Sequence, residues 1–142
     1  MEEKVTEKSV KIWWGSIGNG DILGVLFGDR VLTTEVARLM IDRMKQGENL
    51  SISRRQMRLF ARELDSGKMG VKYSYHNFYA KLVRKLLLLG LVEKGMMWSP
   101  QKKTTIRVYQ LKLQSIKERP PHSGFIRLMW QIAKDWNSLV LS

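Results

Sequence analysis

Cysteine is absent from this 142-residue chain, so disulfides and thiolate metal sites are excluded and stability must come from packing. A reducing interior suits such a chain. Histidine is nearly absent, with only His76 and His122, and eight of the 13 acids fall in the first fifty residues at no metal-ligand spacing. No catalytic residue, metal or cofactor is therefore expected. Long apolar runs are also missing. A membrane span needs about 20 residues, and "MEEKVTEK" lacks the basic-then-apolar order of a secretory signal. The expectation is a soluble, cytoplasmic protein without membrane contact. The three prolines include the pair in "KERPPHSG", which forbids helix and marks a linker.

The chain does carry positive charge, unevenly placed. The formal net charge is +12. Residues 1–50 contribute −1, whereas residues 51–90 hold nine Lys and Arg against two acids, and residues 91–120 seven against two. A field this localised raises the concentration of polyanions around it, so a phosphate-bearing partner is expected.

At this length one domain is the simplest expectation. Residues 1–8 read as a frayed terminus, "VKIWWGSIGNG" as a strand or extended arm, and "GDILGVLFGDR" as either a strand or a short helix. From Thr33 or Thr34 as N-cap, Val36, Leu39, Met40 and Met44 give a helical stripe that stops at Gly47. A second helix opens on a capping box, Ser53 with Gln56, buries Met57, Phe60, Ala61 and Leu64, and closes at Gly67. A third starts after Ser74, aligns Phe78, Leu82, Leu86 and Leu89, and ends at Gly90. "LVEKGMMW" and "TTIRVYQLKL" read as two antiparallel strands around the turn "SPQKK". After Ser123, "GFIRLMWQIAKDWNSLVL" reads as a last helix.

Three helices followed by a hairpin, with the third helix running into "LLLLGLVEKG", resemble the winged helix-turn-helix DNA-binding superfamily over roughly residues 21–113. The resemblance implies a mainly α fold: a three-helix core with a two- or three-stranded wing, here carrying an added C-terminal helix. It divides the chain into an arm (1–20), the winged helix (21–113), a linker (114–122) and the last helix (123–142). It also implies a third helix in the major groove, a wing on backbone or minor groove, and a regulator of transcription that selects duplex sequences.

The residues can be read independently of that likeness. Opposite its apolar stripe the third helix carries Tyr75, His76, Asn77, Lys81, Arg84 and Lys85, a polar start and a basic side suited to base edges and backbone. Its amide end is expected to favour phosphate. The second helix turns Arg54, Arg55, Arg58 and Arg62 outward; phosphate would satisfy them, and so would the chain's own Asp42 or Glu48. Lys72, Lys102, Lys103 and Arg107 extend the basic set. "GKMGVK" is not a nucleotide loop, because Arg62 stands where the first glycine belongs and Met69 where Ser or Thr should follow the lysine. Tyr73, Tyr75 and Tyr79 either pack beside the core or stack on unpaired bases, the latter pointing to single-stranded DNA or RNA. A basic module meeting an acidic protein is the remaining alternative. On the last helix, Phe125, Met129, Trp130, Ile132, Trp136 and Leu139 exceed what one face can bury, which predicts a two-fold dimer or burial beneath the N-terminal "KIWW".

Overall fold

The computed structural model describes residues 11–14, 17, 21–28 and 30–142. Residues 1–10 and most of the glycine-containing stretch up to 20, read above as an arm, lie outside the described residues. Among the described residues the chain forms five helices and one three-stranded antiparallel sheet, a mainly helical α+β arrangement. No helix among them is long and apolar enough to cross a membrane.

Residues 21–28 form a helix, resolving the strand-or-helix alternative. Asp21 accepts from the Leu23 amide at 3.2 Å, helix α1 (Ile22–Phe27) follows, and Gly28 ends it at φ 66°. Five of its six residues are buried, so the helix is an apolar plug rather than an amphipathic surface element. Helix α2 (Val31–Lys45) begins earlier than the threonines suggest. Its N-cap is Arg30 without a side-chain cap, and Thr33 is buried inside the helix with its hydroxyl 3.3 Å from that of Tyr73. Thr33 thus ties α2 to the segment before the third helix instead of starting α2. Gly47 provides space: a Cβ there would lie 1.9 Å from the Ser51 carbonyl oxygen.

Strand β1 (Ser51–Ser53) leads directly into α3 (Arg54–Ser66). Ser53 both ends the strand and completes the expected capping box with Gln56, and Gly67 closes α3 in the left-handed conformation at φ 80°. The next helix, α4, is one rod built of Tyr75–Asn77, a π segment Phe78–Val83 and Arg84–Leu88. Ser74 caps it by accepting from the Asn77 amide at 3.0 Å, and Phe78, Leu82 and Leu86 are fully buried. Strands β2 (Val92–Ser99) and β3 (Thr104–Leu111) form the hairpin, and β1 adds to the far side of β3, giving the order β1-β3-β2.

Residues 112–123 run without helix or strand to α5 (Gly124–Leu141). This helix is docked on the same core. Trp136 is fully buried and donates to the Lys112 carbonyl at 2.9 Å, while Asn137 clamps the Gln114 backbone from both sides at 2.7 and 2.9 Å. Lys45 of α2 donates to the Leu139 carbonyl. Ile132, Trp136 and Leu139 are therefore committed to the chain's own core and do not form a dimer face. Trp130 is half-buried, held by its indole N–H on the Lys117 carbonyl at 2.8 Å. Only the first half of the predicted stripe stays out: Phe125 is 64% and Met129 45% exposed, joined by Ile126 at 69%.

Candidate nucleic-acid interface

The start of α3 sets the site. Because Met57, Phe60, Ala61 and Leu64 face the core, helical geometry sends Arg54, Arg55, Arg58 and Arg62 outward, and all four are exposed. β1 pairs with β3 immediately before this helix, which draws its first two turns against the hairpin. A groove of about 790 Å³ lies between them, lined on one side by Arg54, Arg55 and Arg58 and on the other by Lys102, Ile106 and Arg107. Two elements far apart in sequence thus contribute cations to one depression.

These charges are not spent internally. Among the described residues two salt bridges occur, Arg38 with Asp21 and Lys112 with Glu93, both at 3.7 Å, and neither uses a candidate cation. Glu48 lines the same groove but makes no ion pair with the arginines, and Asp42 makes none either.

The third helix differs from its expected form. His76 and Lys81 are exposed and Asn77 is half-buried. Arg84 is half-buried, and its Nη2 is enclosed without a hydrogen-bond partner among the described residues. Lys85 leaves the basic side altogether. Its ammonium donates to the Leu26 carbonyl and sits over the rings of Trp13, at 4.9 Å, and Phe27, at 5.2 Å. Burial, then the charges of Arg30 and Lys11, push its pKa down from 10.5 to about 8. The cause is position on the wheel: Lys85 borders the core flank that faces α1, so its stem is drawn inward. The amide end of α4 is not free for phosphate either, since the Asp65 carboxylate accepts from the Tyr75 amide at 3.4 Å and Ser74 from that of Asn77.

The tyrosines pack. Tyr73 is buried on Thr33, and Tyr75 and Tyr79 are half-buried with ring centroids 5.1 Å apart. Burial first, then neighbouring Tyr75 and Tyr109, push the Tyr79 hydroxyl up from 10.0 to about 12, against the opposing charge of Arg58. These rings connect the third helix to α3 and to the base of the hairpin. Lys72 is exposed before α4, and Lys102 and Lys103 are exposed at the hairpin tip. Lys103 holds φ 54° while its amide donates to the Ser99 carbonyl at 2.8 Å, closing the turn.

The hairpin also presents residues outside the expected set. Register pairs Lys94 with Tyr109, Met96 with Arg107 and Trp98 with Thr105, so these six share one face. Met96 and Trp98 are 60% and 58% exposed, and Met96 lines a cleft of about 370 Å³ with Arg54, Lys94, Gly95, Arg107, Val108 and Tyr109. The period of two in "VEKGMMWS" already places Lys94, Met96 and Trp98 on one side; what it lacks is any sign of which side would meet the core. No protein-family model, curated protein or solved structure matches the chain.

Proposed function

We propose that this protein binds double-stranded DNA in the manner of a winged helix regulator of transcription, with α3 and the hairpin on the phosphate backbone and α4 toward the major groove. The single observation behind this reading is the groove in which Arg54, Arg55 and Arg58 of α3 face Lys102 and Arg107 of the hairpin, five cations beside the one carboxylate of Glu48, with no ion pair to any of them among the described residues. Arginine forks suit bidentate phosphate contact, and such contacts set register on a duplex. The order of helix, strand, two helices and hairpin fits the winged helix layout that the sequence resembles. DNA is favoured over double-stranded RNA because a B-form major groove admits a helix such as α4, whereas the A-form groove is too deep and narrow. The third helix's share is smaller than its composition suggests: His76, Asn77 and Lys81 carry it, with Arg84 adding one half-enclosed guanidinium.

Equilibrium binding to operator-length duplex at several salt concentrations tests the proposal. The expected result is affinity falling steeply with salt, and a loss of about a hundredfold or more for Arg54→Glu with Arg58→Glu and Arg107→Glu, at unchanged helicity. Duplex affinity that is absent or indifferent to salt sinks it. The exposed first half of α5, around Phe125, Ile126 and Met129, is the surface through which a second copy would give two half-site readers. A monomeric mass in solution at micromolar concentration would remove that part of the proposal.

A further inference from the structure

Resting on the nucleic-acid reading above, we infer that the far end of the hairpin, on the face that bears Met96 and Trp98, holds unpaired bases, so that the preferred ligand is a duplex bearing a single-stranded extension. Trp98 and Met96 project from β2 at 58% and 60% exposure, opposite small Thr105 and cationic Arg107. A large flat ring kept in water at this level gains nothing for the fold, since β2 is an edge strand and the core residues of the hairpin, Val92 and Leu111, pair at its other end. Trp98 is the next residue along this face from Met96, which lines a cleft of about 370 Å³ whose walls also carry Arg54, Lys94 and Arg107. That volume is in the range of small-ligand clefts, about 300–1,000 Å³.

An apolar ring and thioether near cations that make no ion pair among the described residues match a nucleotide strand. The rings take the π-faces of bases, which every base offers, and the cations take the linking phosphates. A second copy of this chain is a poor occupant here, because the apolar α5 surface it would dock through brings no anion to Arg54, Lys94 and Arg107. Paired bases are a poor occupant too, since their faces are already stacked within the duplex. Arg54 and Arg107 line both this cleft and the α3 groove, so a strand leaving a duplex on α3 would pass Met96 on its way to Trp98.

The test compares blunt DNA duplex, the same duplex with a ten-nucleotide overhang, and the overhang strand alone, for wild type, Trp98→Ala and Trp98→Phe. Overhang duplex should bind more tightly than blunt duplex by about five- to 150-fold, the range of stacking one base. Trp98→Ala should erase that gain, Trp98→Phe should keep most of it, and both should bind blunt duplex as wild type does. Equal affinity for blunt and overhang duplexes, or an overhang gain untouched by Trp98→Ala, overturns the inference while leaving duplex binding intact. Strand alone binding as tightly as overhang duplex, with Trp98 dependence, would instead uphold the wing's role and sink the duplex reading. No binding to any of the three would sink both.

Discussion

Arg58 on α3 and Lys85 on α4 are cations of similar standing in the sequence, each one polar step from an apolar stripe, and the folded chain puts them to opposite uses. Arg58 faces a groove with other cations and makes no ion pair among the described residues, Glu48 of the same groove included. Lys85 is folded back over Trp13 and Phe27 and bonded to the Leu26 carbonyl, where its charge is withdrawn from the surface. The lesson concerns neighbours. α3 lies on the solvent side of the helical core with only the hairpin near its first turns, whereas the flank of α4 bearing Lys85 is covered by α1 and the chain before it. A count of basic residues measures the field around a protein; it does not say which charges remain available.

The largest expected effect is at the covered region. Gly28 sits at φ 66°, and a Cβ there would lie 2.2 Å from the Trp13 ring. Gly28→Ala should therefore cost about 1–3 kcal/mol from backbone strain, with further loss as Trp13 is displaced from Lys85. Denaturant unfolding would measure it, and duplex affinity under native conditions should hardly move. If affinity collapsed along with stability, the two regions would not be separate.

Next in size is a matched pair. Arg58→Met should lower duplex affinity several-fold and reduce the slope of log affinity against log salt by about one. Lys85→Met, which also removes one positive charge, should leave both quantities as they are. Equal losses in a salt titration would erase the distinction drawn between the two residues.

Smaller effects lie in pH. The Lys85 pKa is lowered to about 8 from 10.5, so the unfolded chain binds the extra proton between those values. Stability from this group consequently rises as pH climbs from about 8 toward 10.5, and below about 8 its full cost is present. Wild type should gain on Lys85→Met across that window in paired unfolding curves. Tyr79 has the opposite sign. Its pKa is raised to about 12 from 10.0, so its contribution is intact below about 10 and is lost as pH rises above that. Ultraviolet titration should show a late phenolate step that Tyr79→Phe abolishes.

Much of this architecture was legible locally. The capping box at Ser53 and Gln56, the Ser74 cap, the left-handed Gly67, the hairpin around Pro100 and the outward arginines of α3 all follow from short-range chemistry. Such features need only a few consecutive residues, so pattern suffices to find them. "SIS" was not legible as a strand: three residues before an N-cap look alike whether or not a partner strand waits at Val108 to Gln110. The start of α2 was misplaced for a related reason, since Thr33 has the chemistry of a cap and is instead engaged with Tyr73, forty residues away.

The longest-range contacts were the least visible. Phe125 and Trp136 belong to one periodic stripe, yet one is 64% exposed and the other buried: Trp136 is inserted in the core, whereas Phe125 lies against Trp14 of the N-terminal segment, ring centroids 5.6 Å apart. Helical periodicity states that a face is apolar; what it lies against decides how much of that face is buried. Element type, caps and the outward direction of α3's charges were thus set by neighbours along the chain. Which cations stayed free, where the hairpin met α3, and how far α5 was covered were set by neighbours in space, since burial and charge pairing depend on residues that sequence distance does not bring together.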